Sequence, residues 1–155
     1  CQLCPIREFC QAHAHGREMD YPKKAAKKPR AVQKKTILVI QDDRSVAIRR
    51  RPSRGLLAGL YELPNLDGWL AQEEILEYLR ELELEPLRIL PIGEAKHVFS
   101  HVEWWMRGYQ VRVASVEQPL WKELIFVKPE ETAEQYAIPS AFDAYANYLK
   151  EEKIR

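Results

Sequence analysis

Thr36-Ile37-Leu38-Val39-Ile40-Gln41-Asp42-Asp43-Arg44-Ser45-Val46-Ala47-Ile48-Arg49 decides how the chain folds. Its first five residues are β-branched or leucine, a composition that suits a pleated, buried surface. Asp42-Asp43 then supplies a turn, because a short carboxylate side chain accepts from backbone amides just ahead of it. Ser45 to Arg49 resumes an extended run. The stretch predicts a β-hairpin, and the remaining elements are placed by working outward from it.

Downstream, Arg50, Arg51, Arg54, Gly55 and Gly59 mark an exposed loop, and Tyr61-Glu62-Leu63 reads as a short strand stopped by Pro64. Leu70, Ile75, Leu76, Leu79 and Leu82 recur at helical spacing, which predicts a helix over 70–84. Asp67 or Gly68 stands at its start and Pro86 at its close. Leu87 to Val98 and Val102 to Val116 read as two extended segments around Phe99-Ser100-His101. Trp105, Arg107, Tyr109, Val111 and Val113 share one strand parity, so Trp104 and Trp105 point to opposite faces and at least one belongs to the core. Glu123 to Val127 is a further strand and Glu130 to Gln135 a helical turn. Ser140 to Glu151 predicts an amphipathic helix with Ser140 as N-cap and Phe142, Tyr145, Tyr148 and Leu149 buried. The order β-β-β-α-β-β-β-α lacks βαβ alternation. It predicts an α+β domain over 36–155, a mixed sheet with helices on its faces.

Upstream the chain changes character. Tyr21 to Lys35 holds seven basic residues (Lys23, Lys24, Lys27, Lys28, Arg30, Lys34 and Lys35), two prolines and no acid. Such a segment buries too little apolar surface to offset its ordering entropy, so residues 11–35 read as a basic linker. Residues 1–60 carry 14 Lys/Arg against 5 Asp/Glu, and residues 61–155 carry 10 against 18. The net charge of +1 therefore conceals a basic front half and an acidic back half, a division that suits a polyanion at the basic end. No apolar run approaches the roughly 18 residues that span a bilayer.

All three cysteines fall within the first ten residues, as Cys1-Gln2-Leu3-Cys4-Pro5 followed by Cys10. The chain has no material for a disulfide framework, which fits a reducing cytoplasm. Two thiolates at C-x2-C spacing face one metal centre, and Cys10 adds a third ligand. Zinc and iron–sulfur sites take four. Either His13 or His15 completes a zinc site, or a fourth cysteine precedes Cys1. A first residue other than Met agrees with a piece of a longer protein.

The cysteine segment resembles the end of the cluster loop in helix-hairpin-helix DNA glycosylases, C-x6-C-x2-C-x5-C, in which the first cysteine would stand seven positions before Cys1. Two further stretches select among those enzymes. Arg51-Pro52-Ser53-Arg54-Gly55-Leu56-Leu57-Ala58-Gly59-Leu60-Tyr61-Glu62-Leu63-Pro64-Asn65 and His97-Val98-Phe99-Ser100-His101-Val102-Glu103-Trp104-Trp105 are similar to the C-terminal domain of MutY-type adenine glycosylases. The resemblance covers essentially the whole chain. It implies a Nudix-like fold over 36–155 that recognises 8-oxoguanine, an interdomain linker over 11–35, and the end of the catalytic domain's cluster loop over 1–10. It also implies a 4Fe–4S cluster in the full-length protein, held there by Cys1, Cys4 and Cys10 and absent or incomplete in this piece. The implied partner is double-stranded DNA with adenine opposite 8-oxoguanine, bound by a monomer near the bacterial nucleoid, with repair or mismatch-repair proteins as further partners.

The resemblance further assigns Phe99, Ser100 and His101 to the lesion. Guanine shows two acceptors, N7 and O6, on its major-groove edge. Oxidation at C8 turns N7 into a donor and adds an O8 acceptor. A serine hydroxyl can answer both, being donor and acceptor at once. Without the resemblance, Phe99-Ser100-His101 reads as an ordinary turn with Ser100 satisfying its own backbone. Lys23, Lys24, Lys27, Lys28, Arg30, Lys34 and Lys35 are the expected phosphate contacts.

A hydrolytic Nudix box, G-x5-E-x7-R-E-U-x-E-E-x-G-U, holds Mg²⁺ on helix-borne glutamates, the oxygen cluster that a hard cation needs. Arg80-Glu81-Leu82 echoes its middle, but Leu84-Glu85 replaces the paired glutamates and Leu87 the final glycine. Diphosphate hydrolysis is not expected, although a stand-alone Nudix hydrolase of oxidised nucleotides is the alternative function. A Nudix-like protein-interaction module is a third. Adenine excision belongs to the upstream helical domain, so this fragment alone is expected to be inactive.

Overall fold

The computed structural model describes residues 1–24, 28–117 and 120–150, and Lys27 and Glu151 lie outside them. Its strands are β1 (Ala31–Gln41), β2 (Val46–Arg50), β3 (Tyr61–Glu62), β4 (Asn65–Asp67), β5 (Pro86–Val98), β6 (Val102–Val113), β7 (Leu120–Trp121) and β8 (Leu124–Val127). They form one sheet in the order β5-β6-β1-β2-β8-β7, with β3 paired to β2 and β4 to β1. β1 and β6 run parallel and the other pairs antiparallel. The fold is the α+β mixed sheet that the element order predicts.

Ile37 to Ile40 are all fully buried because β1 is covered on both faces, which explains an apolar run without alternation. On one face Leu38, Ile40, Ala47, Val111 and Phe126 pack with Ile75, Leu79 and Leu82. The helix that supplies those leucines is α2 (Gln72–Glu81); α1 is the four-residue turn Gln11–Ala14. On the other face Ile37, Val39, Ile48, Leu63, Trp104 and Met106 pack with Phe142, Tyr145 and Leu149. Each large side chain removed from water there contributes roughly 1.5–3 kcal/mol. Gly108 lets Tyr145 lie directly on β6, since a Cβ at that position would stand 2.2 Å from the Tyr145 ring.

Several elements depart from the expected ones. The strand expected from Thr36 starts five residues earlier, so Ala31 to Lys35 belong to the sheet rather than to a linker. Their side chains are polar or exposed, and backbone pairing with β6 from Ala31↔Val102 onward holds them. β4 was not expected; it pairs Asn65, Leu66 and Asp67 with Ile37, Thr36 and Lys35. α2 begins after Ala71, not at Asp67 or Gly68, and Glu74 accepts from the Ala71 amide at 2.7 Å. It ends through Glu83 at φ 58, while Pro86 opens β5 instead of closing the helix. Ser140 does not cap the last helix: Pro139 precedes a 3-10 segment over Ser140–Tyr145, which leads into α4 (Ala146–Lys150). The short helix at Glu131–Glu134, α3, matches the expected turn. Among the described residues no helix is long and apolar enough to cross a membrane.

Candidate functional site

β5 and β6 pair from Val98↔Glu103 back along the sheet, and Phe99-Ser100-His101 closes them at one end. The Phe99 amide donates to the Val102 carbonyl at 2.8 Å, which fixes the turn. Phe99 is half-buried and anchors it from below, edge-on to Trp104 with ring centres 4.9 Å apart and to His97 at 4.6 Å. Trp104 is 1% exposed and donates its indole N–H to Gln33 Oε1 at 2.9 Å, so the anchor is itself fixed. Ser100 and His101 are exposed at the tip. Among the described residues neither side chain has a protein hydrogen-bond partner, whereas a self-satisfied turn would have engaged the serine. Trp105 faces the opposite way from Trp104, as strand parity requires, and is 38% exposed.

The basic residues expected at phosphate divide into free and committed ones. Lys23, Lys24 and Lys28 are exposed. Arg30 is tied to the turn: its Nε donates to the Phe99 carbonyl at 3.0 Å and its Nη1 lies 3.9 Å from Glu103. The Ala31 amide adds a bond to the His101 carbonyl at 3.3 Å. Lys35 is half-buried, paired with Asp67 at 2.6 Å, and its ammonium sits 5.5 Å from the Trp104 ring centre. Lys34 lies over Trp69 at 4.5 Å. Arg30 and Lys35 thus also engage protein groups, partners that sequence distance concealed. Glu103 also receives Lys96 at 2.8 Å; that hydrogen bond, with the Trp105 indole N–H, keeps its carboxyl below the ordinary range.

At the N-terminus Cys1 and Cys4 are exposed and Cys10 is half-buried. Among the described residues, one group of three metal-ligating side chains has its ligand atoms within 4.8 Å of one another, and it is Cys1, His13 and Glu18. The three sulfurs therefore do not meet around a single ion. Arg7 Nε donates to His13 Nε2 at 2.8 Å, so Nδ1 carries the proton and donates to Glu18 at 2.5 Å. That hydrogen bond from His13 lowers the Glu18 pKa. Both ring nitrogens of His13 are thus engaged by protein groups. As a donor set, Cys1, Cys4 and Cys10 supply three of the four thiolates that a 4Fe–4S cluster takes.

Glu73, Glu74, Glu77 and Glu81 on α2 are exposed. No group of three or more carboxylates has its oxygens gathered within 4.8 Å among the described residues. Glu62 is different: 1% exposed, it accepts from Arg49 at 2.8 Å and from Arg51 through a second ion pair. It is a buried structural anion, fully engaged by the two guanidiniums.

A NUDIX domain model matches residues 36–148, the segment that contains the sheet except for the first five residues of β1. The chain belongs to the Nudix domain family. Among curated proteins this Nudix domain is similar to mouse adenine DNA glycosylase, 28% identical over 129 residues, which are 76% of this chain and 24% of that protein. It spans between 18% and 29% of the length of three curated relatives, the adenine DNA glycosylases of mouse, human and rat. In fold it is similar to the C-terminal domain of mouse MUTYH, solved in complex with human PCNA. The TM-score is 0.57 at 22% identity, covering 75% of this chain and 88% of that one. The MutT protein from Methanosarcina mazei Go1 shares the fold as well, with a TM-score of 0.56 at 14% identity over 83% of this chain and 100% of that one. The Nudix-like fold implied by the resemblance is therefore the observed one.

Three site features escaped the sequence reading. Trp69, Lys96 and Arg107 gather beside Trp105, and the Arg107 Cζ lies 4.0 Å from the Trp69 ring centre. The pattern was hidden because the residues come from a loop and two strands. The parity of Trp105 and Arg107 was the only available signal.

Proposed function

We propose that the chain is the lesion-reading domain of an A/G-specific adenine DNA glycosylase acting in base excision repair. Phe99, Ser100 and His101 sit against 8-oxoguanine, and a helical domain elsewhere in the parent protein hydrolyses the adenine N-glycosidic bond. One observation carries the proposal: Ser100 presents an unpartnered hydroxyl at the tip of a turn whose backbone is pinned by Phe99, Arg30 and Trp104. Held in this way, the hydroxyl can accept from N7–H and donate to O8 of the oxidised base. Phe99 stays anchored in the core edge, and His101 is free for phosphate or the base edge. Lys23, Lys24 and Lys28 supply affinity without sequence information. Cys1, Cys4 and Cys10 would be three ligands of a 4Fe–4S cluster in the parent protein. The complex of the mouse domain with PCNA supports a repair protein as a second partner.

The α2 carboxylates face solvent and no three of them gather among the described residues, which favours lesion reading over a hydrolytic Nudix function, the second reading. Magnesium-dependent release of pyrophosphate from 8-oxo-dGTP by the purified chain would favour hydrolysis instead. The direct test measures binding of the parent glycosylase to duplexes with adenine opposite 8-oxoguanine or guanine. Ser100→Ala is expected to lower the preference for the oxidised base by about 1–3 kcal/mol, the worth of a specific base contact. An equal loss on both duplexes would sink the assignment of Ser100.

A further inference from the structure

The same end of the sheet carries a second cluster, on the face opposite Trp104. The register sets Lys34, Trp105 and Lys96 abreast across β1, β6 and β5, and Thr36, Arg107 and Glu94 abreast one pleat further on. α2 begins only at Gln72 and covers Leu38 and Ile40 without reaching this row. Trp69 leans over it from the preceding loop, its indole N–H bonded to the Trp105 carbonyl at 3.1 Å. Arg107 and Lys34 both lie against the Trp69 ring, at 4.0 and 4.5 Å from its centre. Between the two tryptophans an open cleft of about 360 Å³ is walled by Glu94, Ala95 and Lys96.

The chemistry of this cleft is specific. Trp105 offers a flat apolar ring that is 38% exposed, with the Lys96 ammonium 5.9 Å from its centre. Three cations surround it, Lys34, Lys96 and Arg107, against two carboxylates: Glu94 on Arg107 and Glu103 on Lys96. Lys34 has no carboxylate partner among the described residues. An apolar platform between ammonium groups matches a deoxyribose ring between two phosphates, the part of DNA that positions a protein without being read. Trp105 is also four residues from His101, roughly 13 Å along a strand at 3.3 Å per residue.

We infer that the Trp69–Trp105 cleft is a backbone-docking subsite for duplex DNA flanking the lesion. The Trp105 indole packs on a deoxyribose, and Lys34 and Lys96 take the phosphates on either side. This rests on the proposal that the Phe99–His101 turn faces DNA, and it adds a second point of contact roughly 13 Å from the turn. The subsite is blind to the lesion, so it tightens damaged and undamaged duplexes alike.

The test measures binding of the 155-residue chain to both duplexes over a range of salt, for the wild type, Trp105→Ala, Trp105→Phe, Lys34→Gln and Ser100→Ala. Trp105→Ala is expected to bind both duplexes on the order of fivefold more weakly, and Trp105→Phe to recover most of the loss. Lys34→Gln is expected to reduce the salt slope by about one. Neutral methylphosphonates placed one at a time along the backbone flanking 8-oxoguanine should weaken the wild type at one position and leave Lys34→Gln unchanged there. Unaltered melting temperatures exclude misfolding, since the altered side chains are exposed. Wild-type affinity in Trp105→Ala with a wild-type salt slope in Lys34→Gln overturns the subsite. If Ser100→Ala still loses discrimination in that case, the lesion-reading proposal stands without it. If Trp105→Ala weakens both duplexes while Ser100→Ala discriminates normally, the subsite stands and the turn assignment falls. No binding to either duplex at low salt overturns both.

Discussion

Two serines occupy turns at opposite ends of the same sheet. Ser45 closes β1 onto β2, and its hydroxyl donates to Asp42 Oδ1 at 2.8 Å. The same carboxylate oxygen takes the amides of Arg44 and Ser45 at 2.8 and 2.7 Å, while Oδ2 takes Val116 at 3.2 Å. Ser100 closes β5 onto β6, and its hydroxyl has no hydrogen-bond partner among the described residues. The first turn satisfies its own donors and leaves nothing to offer a ligand. The second is supported through its backbone and its apolar neighbour, so its polar tip is available. Polar groups that a structural turn would consume internally remain unspent where the turn serves recognition.

The largest way to break this contrast is to remove the support beneath the open turn. Trp104 is buried against Phe99 and Phe142, and Trp104→Ala is expected to destabilise the chain by about 3–5 kcal/mol, as aromatic truncations in cores do. A urea titration measures it. The temperature at which discrimination between oxidised and normal guanine disappears should fall with the melting temperature. A loss below 1 kcal/mol would mean that Phe99 is anchored by other groups.

The closed turn is next. Burial raises the Asp42 pKa, but hydrogen bonds from the Arg44 amide, the Ser45 hydroxyl and the Val116 and Ser45 amides outweigh it and hold the carboxyl below its ordinary value of 3.8. A depressed acid contributes stability that is present above the unfolded-state value and lost as pH falls through the folded one. Asp42→Ala is therefore expected to cost about 1–3 kcal/mol near neutral pH by stranding those donors. The difference from wild type should shrink as pH drops below 4. Parallel acid-denaturation curves, with the gap constant down to pH 2, would contradict the account.

How far these turns could be read in advance follows from the range of their interactions. The Asp42 turn was legible because three of its hydrogen bonds come from Arg44 and Ser45, within three residues. The Ile37–Ile40 run and the Ile75, Leu79 spacing were legible because burial is written in local periodicity. The start of β1 at Ala31 was not, because Ala31 to Lys35 are held by parallel pairing with residues about 70 positions away. Lys35 looked like a free phosphate contact until β4 brought Asp67 beside it. Arg30 likewise serves Phe99 across 69 positions of sequence. By residue type alone Phe99-Ser100-His101 is an ordinary turn. Its assignment came from resemblance, and the geometry adds only that its hydroxyl is unengaged.

The smallest expected effect discriminates best, because it applies one change to both turns. Ser45→Ala removes a hydroxyl that donates to a buried carboxylate, and should cost about 0.5–1.5 kcal/mol in thermal or urea unfolding. Ser100→Ala removes a solvated hydroxyl with no partner, and should change stability by less than about 0.5 kcal/mol. In DNA binding the order reverses: Ser45→Ala should leave the preference for oxidised guanine untouched, while Ser100→Ala should reduce it. The crossing of the two effects is what separates a structural serine from a recognising one, since damage to the fold would move both measurements in both variants. If Ser100→Ala were the more destabilising change, the hydroxyl would be serving the turn, and the contrast between the two ends of the sheet would dissolve.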